Sequence, residues 1–203
     1  MFEIFEAYIT SIAHFTRDEL TLMRSLATEK KLRRKQFLLQ EGDVCRYKTF
    51  ISKGLLRTYL LKEDGTEYIM RFACENAWCI DHESYNNQTP SRYNIDALED
   101  TELVLWKKEN FDRLLETIPT FKMLSDKIKE ISHDANHERI LMNISFTSEE
   151  KYQHFIESFP NVFPRVPLHM VASYLGVSRE TLSRIRHAQL KQQQKDDNGS
   201  SFG

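Results

Sequence analysis

Cysteine is scarce in this sequence of 203 residues, which holds only Cys45, Cys74 and Cys79. Three is too few and too odd a number for a disulfide framework. The spacing of Cys74 and Cys79 departs from the CxxC knuckle of structural zinc sites, and three thiolates fall one short of the usual iron–sulfur set. No apolar run approaches the roughly 18–20 residues that a bilayer span needs. The stretch MFEIFEAYIT lacks the basic start and apolar centre of a secretory leader. A cytoplasmic chain with no membrane contact is therefore expected. No internal repeat occurs, and only the tail, residues 192–203, is polar enough to be expected disordered. Apolar residues make up 40% and charged residues 29%. That balance suits a globular chain with room for one ordinary domain and a smaller one.

Charge is present but unevenly placed. The net charge is −2, yet residues 165–195 carry Arg165, Arg179, Arg184, Arg186, Lys191 and Lys195 against Glu180 alone. Six cations less one carboxylate give +5 there and leave −7 on the rest. A basic segment on an acidic body calls for a local anionic partner, with nucleic acid the first candidate.

Periodicity divides the chain. Ile4, Tyr8, Ile12, Leu20, Met23 and Leu26 fall at helical spacing, and Thr16 with Glu19 forms a capping box before the second run. Between about 32 and 106, short β-branched and aromatic runs alternate with turn signals, as in a small sandwich or barrel. Asp64-Gly65 between LLRTYLL and TEYIMRF predicts a hairpin with a type I′ turn. KKENFDRLLETI then reads as a short amphipathic helix ending at Pro119. Over 120–144, Phe121, Leu124, Ile128, Ile131, Ala135 and Met142 follow a heptad spacing. Such a seam fits a helix–helix dimer, or packing on the β domain. Thr147 and Glu150 cap a further helix at 148–158.

The segment PLHMVASYLGVSRETLSRIR divides into two helices. Val171, Ala172 and Leu175 give the first an apolar stripe, Gly176 ends it, and Ser178 caps the second. Two short helices joined at a glycine, with a small Ala172 at their crossing, form a helix-turn-helix. On the second helix Arg179, Ser183, Glu180 and Arg184 share an arc of about 140°, at about 100° per residue. Leu182 and Ile185 occupy the back. An Arg fork fits guanine O6 and N7, and a Glu accepts from cytosine N4. A glutamate would only weaken a phosphate-neutralising patch, so its presence argues for base readout.

SRETLSRI is similar to the recognition-helix signature of the CRP/FNR superfamily of bacterial transcription regulators. ISKGLLRTYLLKEDGTEYIMRF resembles that family's β-roll segment, and the seam at 120–144 resembles its dimerising helix. The resemblance runs from about residue 15 to 190. It implies an α+β fold. A sensor domain at 1–118 would be a double-stranded β-helix (β-roll or jelly roll) with flanking helices. A long dimerisation helix and hinge would follow at 119–145, and a winged-helix-like helix-turn-helix at 146–191. It further implies a homodimer on a near-palindromic operator in double-stranded DNA, RNA polymerase as a partner, and no enzymatic activity. By this match Arg179, Glu180 and Arg184 read base edges, while Ser183, Ser178 and Thr181 approach phosphate.

Three features depart from the family. Cyclic-nucleotide members carry Gly-Glu and then Arg-Ser in the ligand cassette, whereas ENAWCIDHESYNNQTPSRYNIDALED has Ala77-Trp78 and the reversed Ser91-Arg92. Asp134-Ala135 replaces the polar pair of the long helix. No cyclic nucleotide and no other cofactor is expected. The pocket, formed around Ser91, Arg92, Trp78 and Tyr85, would take an unidentified effector or be filled by Trp78 or Tyr85. A true cyclic-AMP regulator and a small-molecule sensor acting through protein contacts are the alternatives. His133 and His137, one helical turn apart, lack an obvious third metal ligand, so no metal is expected. Cys79, Asp81 and His82 are adjacent but would face opposite sides of a strand. Finally, HAQLKQQQKDD has no strand pattern, so the wing is reduced or absent.

Overall fold

The computed structural model describes residues 1–199, with the side chains of 190 and 192–199 left aside. It divides into two compact units, Met1–Ala135 and Asn136–Gly203. Two helices, α1 (Phe2–Thr10) and α2 (Arg17–Ser25), precede eight strands. These are β1 (Thr28–Leu32), β2 (Phe37–Leu39), β3 (Tyr47–Lys53), β4 (Leu56–Leu61), β5 (Glu67–Ala73), β6 (Trp78–Cys79), β7 (Asn94–Ala97) and β8 (Thr101–Lys107). A short helix, α3 (His82–Asn87), separates β6 from β7. The strands form two antiparallel four-stranded sheets, ordered β1-β8-β3-β6 and β2-β7-β4-β5. The fold class is thus α+β with an N-terminal β-roll.

The first sheet is buried on both faces, which explains why β3 and β8 read as nearly continuous apolar runs. Ile51, Leu103, Leu105 and Cys79 point into the roll with Leu39, Leu56 and Ile95. Their neighbours Phe50, Val104, Trp106 and Trp78 point the other way, onto Phe2, Phe5, Ile9 and Met23 of the flanking helices. Strand alternation requires this division. Phe5, Phe50 and Trp106 are fully buried there, at about 1.5–3 kcal/mol of apolar burial each. Trp106 Nε1–H also donates to the Met23 carbonyl at 2.9 Å, tying β8 to α2. In α1 the buried face is Phe2, Phe5 and Ile9, while Ile4 and Ile12 are exposed. The sequence stripe was drawn one position off because both faces of this helix are apolar.

The Asp64-Gly65 hairpin forms between β4 and β5, but not as a type I′ turn. Lys62 and Thr66 close a three-residue loop, with Gly65 N–H on the Lys62 carbonyl at 2.9 Å. Gly65 alone has positive φ, so the loop has the geometry of a three-residue connection with left-handed glycine. In the same sheet Arg57 lies opposite Asp96 and donates to both its oxygens at 2.7 and 3.0 Å. Its other amino groups reach Glu67. Burial opposes the Arg57 charge, and the two carboxylates more than offset this, raising its pKa.

Helix α4 (Lys108–Thr117) and the long α5 (Pro119–Ser145) follow. Phe121, Leu124 and Ile128 of α5 pack into the helix-side core of the N-terminal unit, and Met142 is buried as well. Only Ile131 and Ala135 of the expected seam are exposed. The exposed apolar residues of α5 are instead Met123, Ile131, Ile140, Leu141 and Ile144. The heptad was therefore read correctly as a burying stripe, but most of it is satisfied within the chain. The division between the units falls inside α5, not at 118 or 145.

The C-terminal unit contains α6 (Ser148–Ser158), a 3₁₀ turn at Phe163–Arg165, α7 (Leu168–Leu175) and α8 (Arg179–Gly199). Thr147 and Glu150 form the expected reciprocal cap on α6. Phe155 is fully buried, against Tyr174 and Phe159 at ring distances of 5.3 and 5.2 Å. Among the described residues no strand follows α7. Helix α8 runs on to Gly199, through most of the tail expected to be disordered; residues 200–203 lie outside the described residues.

Candidate nucleic-acid interface and effector cavity

The corner between α7 and α8 is built from three local devices. Gly176 adopts φ +66°, and Val177 N–H returns to the Ala172 carbonyl at 3.0 Å. That geometry closes α7 through a left-handed residue. Ser178 Oγ accepts from Thr181 N–H at 3.1 Å and its hydroxyl donates to Thr181 Oγ1 at 3.0 Å, so Ser178 caps α8. Leu182 and Ile185 are buried with Val171, Ala172 and Leu175, which fixes the rotation of α8 about its axis.

That rotation decides what α8 presents. Arg179, Glu180 and Arg184 are exposed, with Ser183 half-buried beside them. Arg179, Glu180, Ser183, Arg184 and His187 line one open surface groove. The structure therefore brings together Arg179, Glu180, Ser183 and Arg184 on one face, with Ser178 and Thr181 at its edge. The Glu180 carboxyl is held below its usual pKa by its own backbone N–H at the helix start, then by Ser178, with Arg179 adding attraction. At neutral pH the face is thus two arginines flanking a carboxylate.

The expected effector residues do not converge. Ser91 is buried, and its hydroxyl donates to Asp81 Oδ2 at 2.6 Å. Asp81 also accepts from the Glu83 and Ser84 amides at 3.1 and 3.3 Å, as the cap of α3. Arg92 is exposed and pairs with Glu83 at 3.3 Å. Trp78 packs on the helix side of the first sheet and Tyr85 belongs to the roll cluster. The roll itself keeps a cavity of about 300 Å³, lined by Leu39, Cys45, Tyr47, Cys79, Ile80 and Ile95 among others. Neither Trp78 nor Tyr85 lines it, so the expected plugging by these rings is not what the fold does. Burial raises the Cys79 thiol to about 11 and pushes Cys45 up too, leaving both neutral. Sequence reasoning missed this cavity because its lining comes from four separated segments, and only the strand pairing unites them.

On α5, His133, Asp134 and His137 bring one ligand atom each within 4.8 Å of one another. Asp134 is the third ligand that the sequence reading lacked. All three are exposed, and such groups are stable in water without an ion.

The comparisons with known proteins match this architecture. Residues 29–118 match the family model of the Cyclic nucleotide-binding domain. FixK2 from Bradyrhizobium japonicum superposes with a TM-score of 0.70 at 20% identity, covering 82% of this chain and 85% of that one. A transcriptional regulator of the CRP/FNR family from Eubacterium rectale gives 0.65 at 16%, covering 87% and 85%. The global regulator CLP from Xanthomonas campestris, described as responsive to c-di-GMP, gives 0.66 at 14%, covering 90% and 93%. No curated protein matches the sequence. The fold is that of regulators with a cyclic-nucleotide-binding-type roll. More particularly, the chain carries a Cyclic nucleotide-binding domain, and its structural neighbours are CRP/FNR family transcription regulators. No helix among the described residues is long and apolar enough to cross a membrane.

Proposed function

We propose that the chain is a homodimeric transcription regulator that reads a specific sequence in double-stranded DNA through α8. The observation that carries this is the exposed Arg179–Glu180–Ser183–Arg184 face, oriented by the buried Leu182 and Ile185. The helix N-terminus supplies unpaired amides toward phosphate, with Ser178 and Thr181 beside them. Arg179 and Arg184 offer forks to guanine, and Glu180 accepts from cytosine. A second copy covers Ile131, Ile140, Leu141 and Ile144 of α5 and doubles the recognition face on a near-palindromic operator.

The test is footprinting and gel-shift on the chain's own promoter region. Arg179→Ala and Glu180→Ala should each cost about 5–150-fold on the preferred site, from about 1–3 kcal/mol per base contact, with less loss on random DNA. Equal binding of all sequences by wild type and variants would refute base readout.

The roll works without a cyclic nucleotide in this reading. Ser91 is taken by Asp81, and Arg92 is occupied at the surface by Glu83, so neither is set to hold a cyclic phosphate. Millimolar cyclic AMP should leave the melting temperature unchanged; a concentration-dependent rise would overturn the point. An uncharged or weakly polar effector suits the cavity between Leu39, Cys79 and Ile95 better.

A further inference from the structure

Three buried polar groups surround one small cavity in the N-terminal unit, and none has a hydrogen-bond partner. The cavity, about 10 Å³, lies between β3, β6, α4 and α5 and is lined by Lys48, Trp78, Phe111, Leu124 and Ser125 among others. Lys48 and Trp78 are each 7% exposed and Ser125 6%. The Trp78 Nε1–H is buried with no acceptor. The Lys48 ammonium sits 5.7 Å from the ring centres of Trp78 and Phe111. No carboxylate among the described residues pairs with it, and the Ser125 hydroxyl likewise makes no hydrogen bond there.

The groups around Lys48 do not supply the missing negative charge. Lys129 of α5 and Arg71 of β5 act on it as further cations, and the Cys45 and Cys79 thiols are the remaining titratable neighbours. His82 feels the same three cations. Asp81 acts on His82, but its oxygens already serve Glu83, Ser84 and Ser91. A buried charge without a counter-ion is costly, and so is a buried N–H without an acceptor. A water molecule would accept from Trp78 yet neutralise nothing. A cavity with donors on several sides and no acceptor is complementary to an anion. Its volume admits about one sphere of water size, so a polyatomic effector does not fit.

We propose that this cavity is a binding site for a monatomic anion of chloride size, held by Lys48, Trp78 and Ser125. The flexible stem of Lys48 lets the ammonium withdraw to fit the larger ion. The rings of Trp78 and Phe111 face it as well, and aromatic edges carry positive potential. The bound anion would join β3 and β6 to the first turns of α5, holding the start of the long helix against the sheet. The proposal is independent of DNA binding.

Bromide-soaked crystals of the full chain test it directly. An anomalous peak is expected at hydrogen-bonding distance from Lys48 Nζ and Trp78 Nε1; a water or no density there would overturn the site. In solution, chloride replacing gluconate at fixed ionic strength should raise the melting temperature by about 3–5 °C at ten times its Kd. Lys48→Met should abolish that rise and Ser125→Ala, a milder change on the helix side, should reduce it. An equal rise in Lys48→Met would show general salt stabilisation and refute the proposal.

Discussion

Lys48 is the residue whose environment departs furthest from its chemistry. Strand alternation places it on the same side of β3 as Phe50, facing the helix-side core, while Thr49 turns into the roll. Burial lowers its pKa from 10.5 to about 8, with Lys129 and Arg71 adding repulsion. The sign of the consequence follows from linkage. Below about pH 8 the amine is protonated in both folded and unfolded chains, and the cost of burying the charge is fully present. Between about 8 and 10.5 the unfolded chain binds more protons, so stability rises with pH. The gain is on the order of 3 kcal/mol at about 1.4 kcal/mol per pKa unit. Urea unfolding in halide-free buffer should show wild type gaining on Lys48→Met between pH 7.5 and 10. A difference between the two that is flat with pH would mean the amine is not charged and buried. The sequence RYKTFISKG gave no warning, because a lysine within a strand is ordinarily placed on a solvated face.

Helix α5 shows where element-level reading succeeds and stops. Its heptad stripe marks residues that must be buried, and Phe121, Leu124 and Met142 are. What covers them is a tertiary fact: the roll and its helices take Phe121, Leu124 and Ile128, and periodicity alone does not distinguish a neighbouring domain from a neighbouring copy. The helix-turn-helix was legible throughout because its determinants are local: Gly176, Ser178, and Leu182 and Ile185 spaced to face α7. The roll cavity was not, since Cys45 and Cys79 meet only through the pairing of β3 with β6 and the loop before it. The exposed apolar residues left on α5 now define the dimer surface. Ile140 and Ile144 stand one turn apart and Ile144 is 80% exposed, so Ile144→Asp should leave the folded chain intact and weaken self-association. Sedimentation equilibrium would show a shift toward monomer by tenfold or more in Kd, with the circular dichroism unchanged. A variant as dimeric as wild type would remove this face from the interface.

At the scale of the whole molecule, charge separates the tasks. The +5 segment at 165–195 and the −7 of the remainder make one end of the chain attractive to DNA and the rest repellent. Cations around the recognition face, such as Arg186 and Lys191, serve the phosphates, while Arg179 and Arg184 serve the bases. These two kinds of contact respond differently to salt and to sequence. Each phosphate contact contributes close to one unit to the slope of log affinity against log salt, and it does so for any DNA. Lys191→Ala should therefore weaken binding to specific and random duplexes by a similar factor and flatten the salt slope by about 1, or about 2 for a symmetric dimer. Arg184→Ala should mainly narrow the ratio between the two duplexes. Fluorescence anisotropy on both, between 50 and 200 mM salt, separates the outcomes. If Lys191→Ala changed the specificity ratio while Arg184→Ala changed only the slope, the assignment of base-reading and phosphate-holding residues along α8 would have to be reversed.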